Sequence, residues 1–189
     1  ISKADFNPKA TEHIDEMLNM IDKLVEKKIA YVNNSNVYFD ITKFQNYGKL
    51  SGNIANLSTL NNNEEIDPNK LNPNDFALWK SADKDRELIW DSKYGPGFPG
   101  WHIECSAMSQ KYLGKHFDIH TGGVDNIFPH HEGEIAQSEG VFNEKHVNYW
   151  IHGQHLLSEG IKMSKSKQNE YLISDIFERS IDPLAFRYL

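Results

Sequence analysis

Six consecutive residues, Gly95-Pro96-Gly97-Phe98-Pro99-Gly100, are the densest cluster of backbone breakers in the 189-residue chain. Proline removes a donor and fixes φ, and glycine weakens any helix or strand interior, so no long regular element can run through this stretch. It divides the chain into a part over residues 1–94 and a part over residues 95–189, and composition changes there. Eight of the nine histidines lie between His102 and His155, whereas the first 100 residues hold only His13. Chemistry is therefore expected in the second part.

Before the cluster, Ala10, Ile14, Met17, Leu18, Ile21, Leu24 and Val25 recur at helical spacing, predicting an amphipathic helix from Pro8 to about Lys28 with Asn7 as its cap. Ile29 to Val32 and Val37 to Ile41 read as a hairpin closed by Asn33-Asn34-Ser35-Asn36. The Asn-rich run from Asn53 to Asn74 reads as a surface excursion with one short helix at most. After the cluster the elements alternate: a helix from Glu104 to Leu113, a strand from His116 to His120, a helix from about His130 to Gly140, and a strand from Val147 to His152. That alternation is the pattern of a parallel α/β sheet, whose ligands sit beyond the carboxyl ends of its strands.

With 39% apolar and 12% aromatic residues the chain can bury one core, or a medium and a small one. A formal net charge of -7 argues against a generally basic nucleic-acid binder and requires any RNA to be gripped locally. No run of about 18 apolar residues and no signal-peptide layout is present, so no membrane is expected and the cytoplasm is the expected location. Ile1 is not an initiator, and the apolar-periodic run from Leu184 to Leu189 has no stop signal, so the chain is expected to continue beyond both ends.

Cys105 is the only cysteine, which excludes an internal disulfide and leaves a packed thiol, a nucleophile or a metal ligand. On a helix, His130 and Glu134 are four apart and share a face; His131 and Glu134, three apart, do nearly as well. Cys, His and Glu together are a donor set suited to zinc. The same spacing also fits a helix start whose side chains merely complement the dipole. Lys162-Met163-Ser164-Lys165-Ser166-Lys167 follows Gly160 and can bind a polyphosphate, or be a solvated basic loop. Trp101 and His102, close in sequence to Cys105, can wall a small pocket or anchor a core.

Taken in order, Gly100-Trp101-His102-Ile103-Glu104-Cys105-Ser106-Ala107-Met108, His116-Phe117-Asp118-Ile119-His120, Phe128-Pro129-His130-His131-Glu132 and the KMSKS pentapeptide at Lys162 to Ser166 closely resemble cysteinyl-tRNA synthetases. The resemblance extends to Pro8-Lys9-Ala10-Thr11-Glu12-His13-Ile14, Tyr47-Gly48-Lys49-Leu50-Ser51, Asp75-Phe76-Ala77-Leu78-Trp79-Lys80 and Asp182-Pro183. It implies an α/β fold: an α+β inserted domain over residues 1–94, then the second half of a Rossmann-type class I synthetase catalytic domain over residues 95–189. It implies ATP-dependent activation of cysteine and transfer to tRNA(Cys), with magnesium accompanying ATP and one zinc per chain recognising the substrate thiol. The implied zinc ligands are Cys105, His130 and Glu134; the implied ATP-binding residues are Lys165 and Asp125, the implied catalytic residues Lys162 and Lys165, and Trp101 lies beside bound cysteine.

The family's fourth zinc ligand, a cysteine, and its HIGH signature would precede Ile1, and the anticodon-binding region would follow Leu189, so this stretch alone is not expected to aminoacylate. Lys167-Gln168 stands where Leu-Gly often follows KMSKS. Two other functions share these residues: a ligase joining activated cysteine to an amino-sugar acceptor, as in mycothiol synthesis, and a non-catalytic zinc-binding fragment.

Overall fold

The computed structural model describes residues 2–52, 67–83 and 85–188. Most of the Asn-rich excursion, residues 53–66, lies outside the described residues. The chain forms two compact units, Ile1–His152 and Gly153–Leu189.

The first helix, α1, runs over Ile14–Glu26, after a 3-10 turn at Ala10–Glu12. Its apolar spacing is as expected, with Ile14, Met17, Met20, Ile21 and Leu24 buried. Its start is not. His13, at φ -130°, interrupts the helical path, and its ring is held by the Lys9 carbonyl at 2.7 Å and the Tyr112 hydroxyl at 2.9 Å. The cap predicted at Asn7 is thus replaced by a kink at a buried histidine.

Strands β1 (Ala30–Asn33) and β2 (Asn36–Phe39) form the predicted hairpin. Its two turn residues, Asn34 and Ser35, take φ of 48° and 60°, the left-handed pair that matches strand twist. Strand β3 (Phe76–Ser81) pairs antiparallel with β2, and β4 (Gly97–Pro99) pairs antiparallel with β3, giving the sheet order β1-β2-β3-β4. Asp75 anchors the start of β3: buried, it accepts hydrogen bonds from the Tyr31 hydroxyl and from the N–H groups of Ile41 and Asn72.

The breaker cluster is therefore part of the sheet and not a gap between compact units. Its glycines answer to packing. A Cβ on Gly97 would lie 2.3 Å from the Lys80 carbonyl oxygen and 2.4 Å from Trp79 Nε1, and one on Gly100 would lie 2.0 Å from the Ala77 carbonyl oxygen. The core crosses the cluster: α1 and the sheet residues Val37, Phe39, Leu78 and Trp79 pack with Ile103 and Ala107 beyond it. As compact units, the chain divides at 152/153.

Helix α2 (Trp101–Leu113), strand β5 (Phe117–Gly123), helix α3 (Glu132–Phe142) and strand β6 (Val147–Gly153) follow in the predicted order. Strands β5 and β6 are neighbours. His116 meets the Lys145 carbonyl, the Phe117 N–H the His146 carbonyl, and the Asn148 amide the Asp118 carboxylate, so the partners advance in the same sense, as in a parallel pair. Among the described residues this pair is as far as the parallel sheet extends; the larger sheet is antiparallel. Lys27 donates to the carbonyls of Gly140 and Val141, satisfying the last turn of α3.

The second unit holds a short hairpin, β7 (Leu157–Ser158) and β8 (Ile161–Lys162), then a 3-10 turn at Lys165–Lys167 and helices α4 (Ile173–Glu178) and α5 (Pro183–Tyr188). Among the described residues no helix is long and apolar enough to cross a membrane.

Candidate metal centre

Helices α2 and α3 lie against each other, joined by a buried hydrogen bond from the Ser106 hydroxyl to Gln137 Oε1 at 2.6 Å. Helix α2 carries Cys105 directly before Ser106, between the core residues Ile103 and Ala107; the turn preceding α3 carries His130, and the first turn of α3 carries Glu134. Their donor atoms, one sulphur, one ring nitrogen and one carboxylate oxygen, all lie within 4.8 Å of one another. His130 Nε2 is 3.3 Å from Glu134 Oε1.

Glu134 is fully buried, and among the described residues neither carboxylate oxygen has a hydrogen-bond partner. Stripping an ionised carboxylate of water costs several kcal/mol unless a cation or donors compensate. The Cys105 thiol is pushed up to about 12 by burial, reinforced by the negative charges of Glu134 and Glu104. A divalent cation reverses both penalties, because it attracts the carboxylate and deprotonates a coordinating thiol. The residues fit a zinc ion in donor chemistry and in spacing.

His102 supports this arrangement from α2. Its Nδ1 is 2.9 Å from Nδ1 of His130, in a buried contact. Burial, with His130 beside it, lowers the His102 pKa to about 3, so the ring is neutral. If His130 uses Nε2 for a metal, its Nδ1–H must donate to His102 Nδ1, which fixes both tautomers. Trp101 stacks on His130 with ring centroids 4.3 Å apart, lies 5.4 Å from the His102 ring as well, and is 57% exposed. The imidazole thus meets a buried ring nitrogen and an exposed aromatic face.

A second layer of rings stands behind Glu134. His120 Nε2 is 3.5 Å from Glu134 Oε1, and His120, His131 and Glu134 form a second group of donor atoms within 4.8 Å. His131 contacts His152 Nε2 at 2.8 Å and Trp150 at 4.8 Å between ring centroids. Its pKa falls to about 4, first by burial and then by His120, His152 and His130. The two readings of helical spacing therefore both reach Glu134, with Cys105 joining His130 and not His131.

Trp101, Cys105, His130 and Glu134 are brought together. Asp125 is exposed in the turn Val124–Asn126, directly after the carboxyl end of β5, and is not part of either donor group. Lys162 and Lys165 belong to the second unit, both exposed. There the Ser164 N–H donates to Asn169 Oδ1 at 2.9 Å, and Gln168 takes φ of 52°, the left-handed conformation that favours glycine. His102 was read from the sequence only as a pocket wall or core anchor, and His120, His152 and Glu132 were not among the candidate ligands or binding residues. The crowding of histidines after His102 was the signal available for three of them; Glu132 had none beyond its place between His130 and Glu134.

The family model of tRNA synthetases class I (C) catalytic domain matches residues 1–189. A cysteine–tRNA ligase of Brachyspira hyodysenteriae is 53% identical to the chain, covering 100% of it and 40% of the relative. Those of Methanococcus maripaludis and Pyrococcus abyssi are 53% and 50% identical, covering 100% and 95% of the chain but 39% and 37% of themselves. The chain thus spans about two fifths of the length of the curated relatives it matches. With Cys105, His130 and Glu134 gathered at one buried carboxylate, and the family model matched from end to end, the chain belongs to the class I (C) tRNA synthetase family.

Proposed function

We propose that the intact protein activates cysteine with ATP and transfers it to tRNA(Cys), and that one zinc per chain, held by Cys105, His130 and Glu134, recognises the substrate thiol. The observation that carries this reading is Glu134: a buried carboxylate without hydrogen bonds, within reach of a thiol and an imidazole. The relatives' names, cysteine–tRNA ligase, supply the substrate class.

In the reaction, the cysteine carboxylate attacks the α-phosphorus of ATP and pyrophosphate leaves. The adenylate's carbonyl then passes to a hydroxyl of the terminal tRNA ribose, and AMP leaves. Positioning and charge stabilisation supply most of such catalysis. Lys165 and Lys162 stabilise the departing pyrophosphate together with magnesium, and Asp125, at the carboxyl end of β5, contributes to the ATP site. Trp101 walls the amino-acid pocket next to His130. Cysteine and serine differ by one atom, a difference that shape alone separates by only about 1 to 3 kcal/mol. A zinc ion bound at the centre supplies what shape cannot, since it favours a thiolate over a hydroxyl.

The same reading takes residues 1–94 as the inserted α+β domain and residues 95–189 as the second half of a Rossmann-type domain, supported by the order β5–α3–β6 and the same-sense pairing of β5 with β6. It places the protein in the cytoplasm. The test is cysteine-dependent exchange of pyrophosphate into ATP by the intact protein, followed by a choice of acceptor. Exchange with cysteine, little with serine, and transfer to tRNA are expected. Transfer to an amino-sugar in place of tRNA would replace the acceptor, and no exchange would overturn the activation step.

A further inference from the structure

His130 lies where helix α3 has not yet become regular. The segment Ile127–His131 is irregular, and Phe128, at φ -131° and ψ 133°, breaks the helical path two residues before the ligand. No continuous helix behind His130 holds it. The ligand-bearing turn has to be held from outside, and one loop reaches it twice. Tyr47, buried, places its ring edge-on to Phe128, with centroids 6.3 Å apart. Glu132, fully buried between His130 and Glu134 in sequence, accepts hydrogen bonds from the N–H of Gly48 at 2.8 Å and from the N–H of Ser51 at 2.7 Å, one on each carboxylate oxygen. Gly48, at φ 88°, takes a backbone conformation that favours glycine, and the Ser51 hydroxyl donates to its carbonyl, so the turn presents both N–H groups together.

We infer that Glu132 is a positioning residue for the metal centre: by clamping the start of α3 to the turn Tyr47–Ser51, it keeps His130 and Glu134 in ligating geometry and links metal binding to the order of that turn. The inference rests on the metal-centre reading proposed above. Glu132 is in neither donor group, and each of its oxygens accepts a main-chain N–H. Coupling between two sites is reciprocal, so a clamp that favours the metal must itself be tightened by the metal.

The test titrates zinc, against a competing chromophoric chelator, into the metal-free intact protein as wild type, Glu132→Gln and Glu132→Ala. Amide hydrogen exchange at Gly48 and Ser51 is followed with and without zinc. Residues that orient metal ligands typically contribute about 10- to 100-fold in affinity. The zinc Kd should rise about 10-fold or more in Glu132→Ala and by less in Glu132→Gln, which keeps one carbonyl acceptor. Zinc should slow exchange at Gly48 and Ser51 in the wild type and lose that effect in Glu132→Ala. A merely structural residue would lower Tm in both variants with zinc Kd unchanged, and that result overturns the inference. So does a wild type that binds zinc without slowing those two amides, a measurement that needs no variant to fold. A wild type that takes up no zinc overturns the metal-centre reading itself.

Discussion

His130 is fixed by three neighbours of different kinds: the neutral ring of His102, the aromatic face of Trp101 and the carboxylate of Glu134. The rings behind it are equally constrained. A Cβ on Gly122 would lie 2.6 Å from His131 Cε1 and 2.8 Å from its Nε2. That ring cannot step aside easily, being bound to His152 and flanked by His120 and Trp150. Overpacking of this kind costs about 1 to 3 kcal/mol. Gly122→Ala should therefore destabilise the protein by that amount in urea unfolding, and a change below about 0.5 kcal/mol would show the ring to be mobile. Cys105, His130 and Glu134 were legible as a donor set because side-chain type and an i, i+4 spacing are local facts. His102 and Glu132 were not, because their roles come from contacts 28 and 84 residues away along the chain.

Among the elements, periodicity found α1, the β1–β2 hairpin and the α2–β5–α3–β6 series, while their ends followed tertiary contacts. Helix α1 begins at Ile14 because His13 turns to Tyr112 on α2, a partner no capping rule contains. The breaker cluster shows the same thing more sharply. Its glycines signal a boundary when read locally, yet the structure uses them so that β4 and the start of α2 can approach β3. At Gly100 the obstacle is main chain: an added Cβ meets the Ala77 carbonyl oxygen at 2.0 Å, next to the hydrogen bond from Gly100 N–H to the Leu78 carbonyl. The unfolded-state benefit of Gly→Ala is only about 0.4 to 1 kcal/mol. It is outweighed by an overpacking cost at the upper end of about 1 to 3 kcal/mol. Gly100→Ala should lower the urea midpoint accordingly; a neutral or stabilised variant would mean that β3 and β4 are less closely joined than described.

Within the unit Ile1–His152, the core joins α1 and the antiparallel sheet to α2 and α3, so the part without clustered histidines supports the helices that carry the candidate metal centre. The mixture of helices and strands was legible from element order, but the extent of the antiparallel sheet was not, because strand pairing depends on partners far apart in sequence, as between β2 and β3. The central claim is that the ion held by Cys105, His130 and Glu134 reads the substrate thiol and does not merely brace the fold. A structural metal and a recognising metal differ in what is lost with it. The deciding measurement is the affinity of the intact protein for cysteine and for ATP in a Glu134→Gln variant shown to be depleted of zinc and unchanged in Tm. Cysteine affinity should fall by about 10-fold or more, the scale of about 1.4 kcal/mol, with ATP affinity close to wild type. Wild-type cysteine affinity in that zinc-depleted protein would contradict the account.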